Sequence, residues 1–134
     1  RELLESHAAS LIELPMSDAA MAELEAIQDR HSAAIEAEDR RGVFRSNIEF
    51  HQALFAHCGN AALIEAINSF AQKSHAYRSI FVNDRGYLLW AANAHREMIA
   101  AIRSQNCAEL IALCRAHLAP AKNHYIEMFR TRFT

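Results

Sequence analysis

The chain has 134 residues, enough for one domain with its own core, and 51% of them are apolar, which excludes a disordered tail. Its 14 basic and 16 acidic residues leave a net charge of −2 with no basic face, which argues against direct nucleic-acid binding by this segment. No apolar run approaches the ~20 residues of a membrane span. There is no signal peptide, and three cysteines without metal-motif spacing (Cys58, Cys107, Cys114) fit a reduced, cytoplasmic setting.

With only 3 Gly and 2 Pro, and with Ala, Leu, Ile and Glu recurring throughout, the composition favours helix. Leu3, Leu4, Ala8, Leu11 and Ile12 form a first helix that stops before Pro15. Ser17 or Asp18 caps a second, which carries Met21, Leu24, Ile27, His31 and Ile35 on one side and frays between Glu36 and Arg41. A third runs from about Gly42 to Cys58 and ends at Gly59, a good residue for leaving a helix. Asn60 caps a fourth that extends to about Val82, followed by a turn at Asn83, Asp84 and Gly86. A fifth covers about Tyr87 to Ser104, and a sixth about Cys107 to Arg130, kinked at Pro120. No strand, internal repeat or Gly/Ser-rich linker is evident, so the fold class is all-α in one domain, residues 1–134. The start at Arg1, without Met and already in a helical pattern, suggests a piece of a longer protein.

Three of these helices bring a polar residue into their apolar stripe. On the third, Asn47 and His51 fall among Val43, Phe44, Phe50, Leu54, Phe55 and Cys58. Being four residues apart, they share a helix face. On the fifth, His95 lies between Ala92 and Ile99; on the sixth, His117 lies among Leu110, Leu113, Cys114, Leu118 and Ala121. One histidine on such a stripe is ordinarily a core residue bonded to a backbone carbonyl. Three on three helices are harder to explain that way, because burying each ring without a partner costs roughly 1–3 kcal/mol. A divalent cation is an economical shared partner. Neutral imidazoles suit Zn²⁺, Ni²⁺, Cu²⁺ or Fe²⁺, with a side-chain oxygen completing the set. His57, His75 and His124 have a weaker claim, and His7 and His31 read as surface or partly buried residues without a site role. Glu49 points off the stripe toward solvent. No phosphate loop, HExxH, GxSxG, CxxC or paired ExxH motif supports catalysis.

The order of several short segments resembles the FCD effector domain of FadR-type regulators in the GntR superfamily. They are RELLE (Arg1 to Glu5), NIEFH (Asn47 to His51, similar to the family's D-x-x-F-H), GN (Gly59, Asn60), AHREMIAAI (Ala94 to Ile102) and AHL (Ala116 to Leu118). The resemblance covers nearly the whole chain. It implies an antiparallel bundle of about six helices around a central cavity, in the shorter of the family's two variants. It also implies a metal held by one acid and three histidines. Carried over, these positions are Asn47, His51, His95 and His117, with zinc the first expectation and nickel or another transition metal possible. Asn47 departs from the pattern, since its amide oxygen can ligate but brings no charge. The resemblance further implies a small organic or sugar acid as effector, a homodimer, and operator DNA bound through an N-terminal winged helix-turn-helix that this chain lacks.

On this reading the chain is not an enzyme but the sensing domain of a transcription regulator, and an arginine recognises the effector carboxylate. The candidates, in order, are Arg78 on the fourth helix, Arg1 at the opening of the first, and Arg45 two residues before Asn47. The rival reading is a small metalloenzyme, since three histidines with open coordination positions also suit a catalytic zinc. Against it stands the lack of an obvious general base. A third reading is a metal-free helical interaction module.

Overall fold

A computed structural model describes residues 1–75 and 84–133. Among them the chain forms seven α-helices: α1 (Glu2–Leu11), α2 (Asp18–Glu36), α3 (Arg40–Phe55), α4 (Ala61–Lys73), α5 (Arg85–Arg103), α6 (Cys107–Ala116) and α7 (Ala119–Phe133). A short 3₁₀ turn, Ala56–Cys58, follows α3 and ends on Gly59 at φ 72, the left-handed conformation that glycine adopts without a Cβ penalty. No strand occurs among the described residues, and no helix there is long and apolar enough to cross a membrane.

The starts of the helices follow their capping chemistry. The side chains of Ser17, Asp39, Asn60, Asp84 and Asn106 each accept a hydrogen bond from a backbone N–H in the first turn of α2, α3, α4, α5 and α6. α3 therefore starts at Arg40, within the stretch expected to fray.

Two other boundaries differ from the sequence reading. α4 closes at Lys73 with Ser74 as its cap, short of the expected run toward Val82, which itself lies outside the described residues. The expected sixth helix is two helices, α6 and α7, separated at His117 and Leu118. In a continuous helix Pro120 would face the carbonyl of Ala116 with no N–H to donate to it. The chain instead ends α6 at Ala116 and places Pro120 in the first turn of α7, where the missing donor costs nothing. His117 thereby becomes the C-terminal cap of α6.

α2 packs on α3 and α5, α1 on α6 and α4, and α5 on α6. The main core gathers Ala8, Leu24, Phe50, Leu54, Met98, Ile102 and Leu110, with a smaller apolar cluster of Ala34, Ile35, Val43 and Ala92. Between the two along α2 come Gln28 and His31, and between them along α5 comes His95, all buried. A polar layer thus crosses the bundle, and burying it is favourable only if its members satisfy one another.

Candidate metal centre

Each of the three stripe histidines reaches this layer from a different helix. His51 comes from the last turns of α3 and is half-buried; His95, in the middle of α5, is fully buried; His117 caps α6 and is buried. Their ring centroids form a nearly equilateral triangle, with His51 5.0 Å from His95 and His117 4.9 Å from both. One nitrogen of each ring lies within 4.8 Å of those of the other two. The Nε2 atoms of His51 and His95 are 3.2 Å apart, close to the ~3.3 Å between two ligands on a tetrahedral zinc with 2.0–2.1 Å bonds. The donor set is three imidazoles held by packed helices. The residues present fit a divalent cation of the zinc or nickel kind.

The rings are also held from behind. Phe50 stacks on His95 with centroids 4.2 Å apart, and Trp90 stacks on His117 at 5.3 Å with an interplanar angle of 14°. The Oε1 of Gln28 lies 2.6 Å from His95 Nδ1. On its other side the Gln28 amide nitrogen contacts His31 Nδ1 at 3.2 Å and donates to Ser32 Oγ at 3.1 Å. His31 is only 1% exposed, and its ring lies 5.1 Å from that of His95. This corrects the expectation of a surface or partly buried residue. Burial, and after it the Arg96 guanidinium, lowers His31 to about 4, so the ring is neutral at physiological pH.

Asn47 is half-buried one turn before His51 on α3. A cavity of about 300 Å³ opens beside His51, lined also by Arg1, Glu5, Phe55, Gln72 and His75. Arg1 is held there by Glu5 through Nε–Oε2 at 3.0 Å and Nη2–Oε1 at 3.3 Å, and its Nη1 donates to Ser74 Oγ at 2.9 Å. Of the three arginines singled out from sequence, Arg1 therefore borders both the cavity and a candidate ligand. Arg45 is exposed and lines a separate groove with Arg30, Asp39 and Glu49, while Arg78 lies outside the described residues. Glu49 is half-buried and pairs with Arg30 across that groove.

Four residues of the site were not found from sequence: Gln28, Glu5, Ser74 and Trp90. Glu5 carried one signal, a carboxylate four residues after Arg1 on the same helix face, and its burial comes from the structure.

A family model described as FCD domain matches residues 1–120. Among solved structures, E. coli McbR/YncC superposes with a TM-score of 0.78 at 18% identity, over 99% of this chain and 62% of that one. At that identity the likeness is one of fold, and this chain spans less than two thirds of that protein. No curated protein sequence matches the chain.

Proposed function

We propose, because this chain belongs to the FCD domain family, that it is the ligand-sensing part of a GntR-type transcription regulator and senses a small carboxylate at a metal held by its histidines. The observation that carries this reading is the junction of two features. Three imidazoles from three helices converge within 4.8 Å, and the half-buried one, His51, forms part of the wall of a cavity that also holds a guanidinium.

His51, His95 and His117 would hold the ion, with the Asn47 amide oxygen as a further ligand. A bound cation would supply open positions that an effector carboxylate can take from water. Arg1 supplies the bidentate donor for the same acid, at the cost of sharing it with Glu5. A ligand moves a regulator only by binding one arrangement better than the other. Here the cavity joins α1 to α3 and α4, so a ligand that draws Arg1 inward biases the start of the chain. The attached partner on this reading is a winged helix-turn-helix that binds operator DNA as a dimer.

The test uses protein purified without nickel resin, analysed for metal and titrated with Zn²⁺ and Ni²⁺, then with a panel of sugar acids, hydroxy acids and dicarboxylates. Metal uptake near one ion per chain, a raised melting temperature and saturable binding of one acid class are expected. In His95→Ala the metal-induced rise in melting temperature should largely disappear, because a ligand stabilises only what it binds. An equal rise in wild type and variant would remove His95 from the ligand set.

A further inference from the structure

The imidazole of His95 has two ways to carry its proton, and only one presents Nε2 to a cation. We infer that Gln28, itself held by His31 and Ser32, is a positioning residue that fixes His95 as the Nδ1–H tautomer and turns its Nε2 lone pair toward the metal. The inference rests on the metal reading above, but its observations are separate from those that carry that reading.

Gln28 is fully buried on α2, a helix that contributes no candidate ligand. Its amide has two N–H donors and one carbonyl acceptor. With His31 Nδ1 unprotonated, the nitrogen donates to it at 3.2 Å and to Ser32 Oγ at 3.1 Å, which uses both of its protons. That tautomer of His31 is what sets the direction of the amide. The oxygen is left toward His95 Nδ1 at 2.6 Å, a contact that is favourable only if that nitrogen carries hydrogen. A neutral His95 protonated on Nδ1 has a bare Nε2, and this is the atom that faces His51 Nε2 at 3.2 Å. Reversing the amide would set its N–H against His95 Nδ1 and its oxygen against His31, which would then have to change tautomer as well. His31 and Ser32 are thus the anchor, Gln28 the lever and His95 the group that is set. Outer-shell acceptors of this kind typically contribute about 10–100-fold to metal affinity.

Three proteins separate the possibilities: wild type, Gln28→Met and Gln28→Glu. The methionine keeps the volume and removes the acceptor. The glutamate keeps an acceptor for His95 Nδ1–H, while His31 can switch tautomer and donate to it. Zinc affinity is measured by competition with a chromogenic chelator, and the tautomer of His95 by ¹⁵N–¹H correlation spectra of the metal-free protein. Expected is a loss of about 10–100-fold in Gln28→Met and affinity within a few-fold of wild type in Gln28→Glu. In wild type, His95 should be protonated on Nδ1, with that preference lost in the methionine variant. A wild-type spectrum with the proton on Nε2 overturns the inference without any variant, so a misfolded Gln28→Met leaves it testable. Zinc uptake indifferent to Gln28, or weakened as much by Glu as by Met, overturns the inference alone. Wild-type protein that takes up no zinc overturns the metal reading and this inference with it.

Discussion

Asn47 is the residue at which this chain differs from the acid-bearing pattern it resembles, and the difference is one of charge at nearly constant shape. Half-buried one turn before His51, its amide can offer an oxygen but no negative charge. Asn47→Asp should therefore bind zinc or nickel about tenfold tighter or more, since a unit charge near a dication in a partly buried site is worth several kcal/mol before desolvation is subtracted. If the effector is an anion on the same metal, its affinity should move the opposite way. Successive titration of both proteins with metal and with the carboxylate panel reads both effects. Unchanged metal affinity would mean that Asn47 does not face the ion.

At the scale of elements, two three-residue connections in the bundle share one design. α2 and α5 both end with a non-glycine residue in the left-handed region, Glu38 at φ 54 and Gln105 at φ 57. In each case the next residue donates its N–H back across the helix end, Asp39 to Ala34 and Asn106 to Ala101. That same residue then caps the following helix. One residue thus closes one helix and opens the next, which fixes both reversals. Gln105→Gly should stabilise the protein by up to ~1 kcal/mol, because glycine adopts this conformation without a Cβ penalty. Gly42→Ala should do the reverse of what helix propensity suggests. An added Cβ would lie 2.4 Å from Asp39 Oδ2 and 3.1 Å from the Ala34 Cβ, so it displaces the cap. A loss of ~1 kcal/mol, a few degrees in melting temperature, is expected, and it should vanish or change sign in an Asp39→Ala background.

These ends explain what could be read in advance. The caps Ser17 and Asn60, the exit at Gly59 and the histidines at 51, 95 and 117 were legible because each breaks a regular pattern with a residue of distinct chemistry. The start of α3 was less so, since Glu38 looks like ordinary helix surface, whereas α6 begins at Cys107, where the sequence reading put it. Gln28 and His31 were missed for a related reason. Both fall on the side of α2 that carries Leu24, Ile27 and Ile35, but in a helix rich in charge they read as solvated, and packing against α3 and α5 is what buries them.

For the whole molecule, a cation on His51, His95 and His117 would tie together residues 44 and 22 positions apart in the chain, on three helices. Such a clamp adds about 2.7 kcal/mol at a free metal concentration 100 times the dissociation constant. The cysteines offer a measure of it. Burial first, and Glu5 second, raise the Cys114 thiol to about 12, so it stays protonated and shielded in the native state. Half-buried Cys107 should react with a maleimide at pH 8 well before Cys114, whose labelling requires the bundle to open. Zinc should slow Cys114 by the factor by which it raises stability and leave Cys107 nearly unchanged. Equal slowing of both would point to metal bound by the thiols instead.

The stacking of Trp90 on His117 has an optical consequence. Trp90 is the chain's single tryptophan and is 38% exposed, so all indole emission comes from one ring lying against a candidate ligand. An open-shell ion such as Cu²⁺ bound at the centre should darken the protein, whereas zinc should not. The domain would thus carry its own dye, placed where occupancy of the centre can be followed in real time without a label.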